Sequence, residues 1–169
     1  MSPHDVATTL AQGAVYLMRH RSVTSPKPHF VVVMNESPDS DVVILLTVVT
    51  SKIDNVKRRL QMTGAEHYTA VDLSPKDEPF LSVDSIVNCN DCKECSREDF
   101  IADLSSSPDA TYIGSISADS LSKMIVAALA SNQVKPAQKL MISPQRYAAI
   151  ERSRHLPEAK RTKIRITVS

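Results

Sequence analysis

Three cysteines stand at a spacing that suits metal binding. Cys89, Cys92 and Cys95 form a C-x2-C-x2-C pattern, which brings three thiolates within reach of one metal ion. Zinc requires a fourth ligand, for which His67 and His20 are candidates, and an iron–sulfur cluster would lack one cysteine. Closely spaced thiols also serve as redox-sensitive pairs. The pattern predicts a zinc or iron–sulfur site or a thiol-based regulatory module, with coincidental spacing as the alternative.

Charge is distributed unevenly along the 169 residues. Residues 1–134 hold 11 Lys/Arg against 17 Asp/Glu, and residues 135–169 hold 9 against 2, so the net charge of +1 conceals −6 and +7. A basic segment suits nucleic acid, because neutralising phosphates releases condensed counterions. The alternative is a solvated terminal segment that balances an acidic body. We predict a body over residues 1–134 and a basic C-terminal extension over residues 135–169.

Composition indicates a single folded domain without a membrane span. The apolar fraction of 42% and the charged fraction of 23% are typical of globular proteins and unlike those of disordered chains. The longest apolar run, from Val42 to Val49, is far shorter than the roughly 20 residues that cross a bilayer. The N-terminus lacks the basic-then-apolar order of a secretory signal. We therefore expect a cytoplasmic protein whose cysteines are reduced or metal-bound.

The order of elements predicts an α+β fold that is mostly β. Apolar, β-prone runs predict strands at Ala14–His20, Phe30–Met34, Val42–Val49, Tyr68–Leu73, Phe80–Val87 and Thr111–Ile116. Capping residues predict helices near 3–11, over 96–104, from 117 onward and over 143–154. Two segments stay ambiguous: 54–62 is a loop or a short helix, and 162–168 is an edge strand or a tail.

The segment after Ser117 carries the clearest helical periodicity. Its apolar stripe consists of Leu121, Met124, Ile125, Ala128 and Leu129, which share one face of a helix. Short strands followed by this amphipathic helix predict a small curled antiparallel sheet or partly open barrel. The stripe should pack against that sheet.

Several local patterns occur together in an order known from one family. They are Gly13-Ala14-Val15-Tyr16, Lys27-Pro28-His29-Phe30-Val31-Val32-Val33, Leu46-Thr47-Val48-Val49-Thr50-Ser51, Asp84-Ser85-Ile86-Val87, Arg97 to Phe100 and Ile113-Gly114-Ser115-Ile116-Ser117. From about Gly13 to Ala130 the chain resembles the PemK/MazF family of toxin endoribonucleases. The resemblance implies an SH3-like barrel, a homodimer, a neutralising antitoxin protein and metal-independent cleavage of single-stranded RNA.

The resemblance also implies where the chemistry lies. The family drives a 2′-hydroxyl onto the adjacent phosphate, which requires a cation for the developing charge and groups that move protons. The implied catalytic residues are Lys27, His29, Thr50 and Ser51, and the predicted RNA-binding residues are Arg21, Lys52, Arg58 and Arg59.

The sequence departs from the family pattern at two places. Lys27 stands where an arginine is expected, and an ammonium lacks the bidentate fork of a guanidinium. Asn88 and Asn90 stand where some members carry an Arg-x-Asp. His20, Arg21, His29 and Asp91 are the candidates that could compensate. Thr50 and Ser51 have an alternative role, because hydroxyls at a strand end commonly satisfy backbone groups.

Three functions are therefore compatible with the sequence. The first is a divergent toxin-like endoribonuclease of a toxin–antitoxin system. The second is a catalytically silent module of the same fold that binds RNA or a partner protein, which the residues at positions 27, 88 and 90 favour. The third is a metal or redox regulatory module built on the cysteine cluster.

Overall fold

A computed structural model describes residues 2–19 and 27–154 of the chain. Within these ranges there are seven strands, six α-helices and one 3-10 turn at His67–Thr69. The strands are β1 (Ala14–Met18), β2 (His29–Val33), β3 (Val43–Thr50), β4 (Ala70–Leu73), β5 (Ser85–Asn88), β6 (Lys93–Ser96) and β7 (Thr111–Ser115). The helices are α1 (Pro3–Thr9), α2 (Ile53–Thr63), α3 (Arg97–Ser106), α4 (Ala118–Ala130), α5 (Pro136–Ile142) and α6 (Pro144–Arg154).

All the strand pairs described are antiparallel. Six of the strands lie side by side in the sheet in the order β4-β5-β3-β2-β1-β7. The long strand β3 pairs β2 on one side. On its other side β6 pairs the first half of β3, over Val43–Leu46, and β5 pairs its last two residues. Among the described strands β4 and β7 end the sheet and do not pair with each other, so the sheet is open. The predicted α+β fold with an antiparallel sheet is confirmed.

Helices cover both faces of the sheet. Successive side chains of a strand point to opposite faces, and the apolar residues accordingly divide into two buried clusters. One cluster contains Val32, Leu45, Val87, Met124 and Ile142, which joins the sheet to α4 and α5. The other contains Tyr16, Val31, Ile44, Phe100 and Leu104, together with residues of α1. The predicted stripe of α4 lies in the first cluster, with Leu121 at its margin.

Capping residues explain where the helices begin and end. The Ser2 hydroxyl accepts the N–H of Asp5, and the Ser96 hydroxyl accepts that of Asp99, so each satisfies a helix donor that has no partner within its helix. Helix α2 ends at Gly64, which has a left-handed φ of 64°. Glycine adopts that conformation without a Cβ clash. The ambiguous segment 54–62 is therefore helix.

Three elements differ from the sequence prediction. Of the strand expected at Phe80–Val87, only the end is confirmed, as β5 over Ser85–Asn88. The residues directly before β5 form a loop, and buried side chains hold that loop in place. Strand β6 was missed because it is short and polar, in a segment dominated by the cysteine pattern. Helix α5 was missed because its residues were assigned to the basic extension.

Helix α5 packs on the body of the protein. Ile142 is fully buried, and the Gln12 amide donates to its carbonyl oxygen at 2.7 Å. The division at residue 134 stays a prediction, and the basic segment 162–168 lies outside the described residues. None of the helices in the described ranges is long and apolar enough to cross a membrane.

Candidate functional site

A cleft of about 500 Å³ opens where β2 begins and β3 ends. Three stretches of chain and Leu17 of β1 form its walls. They are residues 27–30 at the start of β2, residues 49–52 at the end of β3, and the loop residues 81–83 with Ser85 at the start of β5. The lining of the cleft therefore combines apolar side chains with hydroxyl and ammonium groups.

Antiparallel pairing explains why these stretches meet. Val31 lies opposite Val48 in the β2–β3 ladder, and the same register continued by two residues sets His29 opposite Thr50. On the other side of β3, Thr50 pairs with Ile86 of β5. The end of β3 thus lies between the start of β2 and the start of β5.

The cleft has a positive lining. Among the described residues its walls include Lys27 and Lys52 and no carboxylate. Helix α2 begins at Ile53, directly after Lys52, and its first N–H groups add partial positive charge there. The charge of this lining favours an anionic ligand over a cationic one.

Five of the eight predicted catalytic and RNA-binding residues converge here. Lys27, His29, Thr50, Ser51 and Lys52 all line the cleft. Arg58 and Arg59 do not line it and are exposed on α2. Arg21 and His20 lie outside the described residues.

His29 is perturbed in a way that favours its neutral form. Its Nε2 is buried and has no hydrogen-bond partner within the described part of the chain. Burial, and then the positive charge of Lys52, lower the pKa of His29 below its ordinary value of 6.5. Both causes disfavour the imidazolium. The neutral ring is therefore the favoured form at neutral pH.

The Thr50 hydroxyl has a structural contact. Its Oγ1 accepts a hydrogen bond from the backbone N–H of Lys52 at 3.2 Å, which is the strand-end role that the sequence left open. A hydroxyl has one further donor and a second lone pair. The contact fixes the oxygen at the cleft and leaves its proton available. Ser51 beside it is exposed.

Asn88 and Asn90 belong to a buried network away from the cleft lining. The Asn90 amide donates to Thr69 Oγ1 at 2.6 Å and to Asn88 Oδ1 at 2.9 Å. Its own oxygen accepts the Ser131 hydroxyl at 2.6 Å. These bonds join β5 to α4 and to the 3-10 turn, so both asparagines have structural partners.

Asp91 is engaged in ion pairs. Its carboxylate lies 2.7 Å from Lys93 Nζ and 4.0 Å from an Arg59 nitrogen. Asp91 does not line the cleft. The structure does not bring it to the residues that it was expected to assist.

The three cysteines do not all lie on the same side of the sheet. Cys89 and Cys92 belong to the cluster under α4, and Cys95 packs in the opposite cluster. Burial raises the pKa of Cys89, and burial with Asp91 and Glu94 nearby raises that of Cys92 to about 12. In the described ranges no group of three or more Cys, His, Asp or Glu is arranged to hold a metal. The predicted metal site stays a prediction.

Sequence reasoning missed the wall of the cleft that the loop before β5 forms. The Phe80 ring packs edge-on against Phe30, with centroids 5.1 Å apart, and Leu81, Ser82 and Val83 follow it along the wall. Pro79 ends the turn that the sequence already indicates before this segment, and it does not mark residues 80–84 as a continuing loop.

No protein-family model matches the chain, and no curated protein matches it with significant similarity. The chemistry of the cleft therefore carries the functional argument.

Proposed function

We propose that the chain is a divergent endoribonuclease of the PemK/MazF toxin type, which cuts single-stranded RNA at this cleft without a metal ion. The observation that carries the proposal is the convergence of Lys27, His29, Thr50 and Ser51 in one cleft, whose lining among the described residues also includes Lys52 and no carboxylate. The open antiparallel sheet is compatible with the SH3-like barrel that the resemblance implies, and that finer fold assignment is part of the proposal.

The reaction assigns each group a role. The 2′-oxygen attacks the adjacent phosphorus, the bond from phosphorus to the 5′-oxygen breaks, and a cyclic phosphate forms. His29 lines the cleft and, in its neutral form, takes the proton of the 2′-hydroxyl. The ammonium of Lys27 stabilises the charge that gathers on the phosphate oxygens. The 5′-oxygen leaves as a hydroxyl when the imidazolium of His29, directly or through water, returns the proton to it, and the Thr50 and Ser51 hydroxyls donate hydrogen bonds to the phosphate oxygens.

The resemblance extends to assembly and partners. We include in the proposal a two-fold homodimer, which is the commonest oligomer, and an antitoxin protein that neutralises the activity. Light scattering on purified protein tests the first part. A mass of twice 18.6 kDa supports the dimer, and a monomeric mass removes it from the proposal.

A catalytically silent module that binds RNA or a protein is the second candidate. Thr50 Oγ1 already bonds to the Lys52 N–H, and the asparagines in place of Arg-x-Asp are held in a structural network. Both observations favour binding without cleavage. The positive cleft serves either function, so cleavage itself distinguishes them.

The cysteine-based regulatory module is the third candidate, and the burial that raises the pKa of Cys89 and of Cys92 weighs against a reactive thiol at either residue. Cys92 Sγ lies 3.7 Å from the Cys89 carbonyl oxygen, which sets the two residues side by side. Metal analysis of purified protein tests the zinc or iron–sulfur alternative.

The direct test of the first candidate is incubation of single-stranded RNA with the protein in EDTA. Cleavage that Lys27→Ala abolishes supports the endoribonuclease. Binding without cleavage supports the silent module.

A further inference from the structure

The loop between β4 and β5 contains a buried carboxylate outside the cleft. Glu78 is 1% exposed, and in the described ranges no lysine or arginine forms an ion pair with it. Burial of an unpaired carboxylate is unfavourable unless hydrogen bonds satisfy it. Its bonding partner therefore indicates what it does.

Among the residues that the structure describes, Ser117 alone donates hydrogen bonds to the Glu78 carboxylate. The Ser117 backbone N–H donates to both carboxylate oxygens at 3.1 and 3.2 Å, and the Ser117 hydroxyl donates to Oε1 at 2.7 Å. Ser117 caps α4, where the helix dipole stabilises a negative charge. Ile116, the preceding residue, donates its N–H to the Gly13 carbonyl. Glu78 thus fixes the loop to the start of α4, which is itself bonded to the chain before β1 through Ile116 and Gly13.

The residues directly after Glu78 form a wall of the cleft. The Leu81 N–H bonds to the Glu78 carbonyl at 3.0 Å, and Leu81 is buried in the cluster under α4. Ser82 and Val83 are exposed and line the cleft. The position of this wall relative to Lys27 and Lys52 is set by the contact between Glu78 and Ser117, together with the ring contact between Phe80 and Phe30.

We infer that Glu78 is a positioning residue for substrate, which holds the loop wall of the cleft at the width that RNA requires. The inference rests on the proposed function for its substrate. Glu78 acts on the wall and not on Lys27 or His29. Its loss should therefore weaken substrate binding more than the chemical step.

The first test measures the loop without RNA, by hydrogen exchange on the full chain. Glu78→Gln and Ser117→Ala should speed exchange of the Glu78 and Leu81 amides about tenfold, since a lost hydrogen bond to a carboxylate corresponds to at least that factor. Amides in the middle of α4 should keep wild-type exchange in Glu78→Gln. Equal acceleration in the loop and throughout α4 would show that Glu78 only stabilises the core, and would overturn the inference.

The second test separates KM from kcat in the RNA cleavage assay. Glu78→Gln should raise KM about tenfold and leave kcat within about twofold. Ser96→Ala is the matched control, because it removes a helix cap from α3 on the opposite face of the sheet. A KM unchanged by Glu78→Gln, or raised equally by Ser96→Ala, contradicts the inference. If wild-type protein does not cut RNA, the proposed function fails, while hydrogen exchange still decides whether Glu78 holds the loop.

Discussion

Thr50 Oγ1 accepts a hydrogen bond from the backbone N–H of Lys52 at 3.2 Å. The contact closes the turn between β3 and α2 and fixes the hydroxyl at the mouth of the cleft. A side chain that only completed this turn would have no reason to affect a chemical step. The effect on catalysis of removing this oxygen therefore distinguishes a structural role of Thr50 from a catalytic one.

Two substitutions at Thr50 distinguish these roles. Thr50→Ser keeps the hydroxyl, and Thr50→Ala removes it. We expect Thr50→Ala to lower kcat about tenfold or more, with a loss of unfolding free energy of about 1 kcal/mol from the broken turn contact. Thr50→Ser should keep most of the activity. A Thr50→Ala variant that melts earlier and still turns over at the wild-type rate would leave only the structural role.

The depressed pKa of His29 predicts a pH dependence of stability. Its pKa is about 6.5 when unfolded and lower when folded, so the unfolded state takes up the proton first as pH falls. The stability that His29 contributes is therefore complete above about pH 6.5 and is lost between that pH and its lower folded pKa. In denaturant titrations over this pH window, the free energy of unfolding should fall less steeply with decreasing pH for His29→Gln than for wild type.

His67 provides the matched control for that measurement, since it is exposed on the 3-10 turn. His67→Gln should keep the wild-type pH dependence. If His29→Gln shows the same slope as wild type, the folded imidazole is not held neutral, and its assignment as proton acceptor loses its support.

Two neighbouring residues of α4 test the packing of the sheet. Ile125 is 8% exposed and Val126 is 46% exposed. Ile125→Asp should unfold the domain, because burying an unpaired carboxylate costs several kcal/mol, comparable to the whole stability of a domain. Val126→Asp should change the melting temperature little. Similar melting curves for the two variants would contradict the burial of the α4 stripe.

The sequence predicted the fold where local patterns and burial agree. The apolar stripe around Met124 can be buried only if α4 packs on the sheet, and the apolar run of β3 only if the strand lies inside the sheet with both faces covered. Both elements were therefore correctly assigned. The cleft residues of β2 and β3 were named from the family resemblance, and they meet in the structure because they lie at strand ends that antiparallel pairing brings together.

Contacts that depend on tertiary structure were not predictable in this way. The partner of Glu78 lies 39 positions away in the chain, and no local pattern specifies it. The cysteine spacing predicted convergence, yet the strand β6 sends Cys95 to the opposite face from Cys92. Ile142 shows the same limit, since its segment was assigned by charge and is buried. Deleting residues 135–169 would therefore test stability before it tested RNA affinity.

The central claim is that Lys27 supplies the charge for metal-independent RNA cleavage. The most direct measurement is the rate at which single-stranded RNA is cut in EDTA by wild type, Lys27→Ala and Lys123→Ala. Lys123 is the matched control, because it is an exposed lysine on α4 that does not line the cleft. We predict that wild type and Lys123→Ala cut at similar rates and that Lys27→Ala is slower by about 100-fold, the order for losing one preorganised donor. Wild-type protein that binds RNA without cutting it, or a Lys27→Ala variant that cuts at the wild-type rate, would contradict the claim.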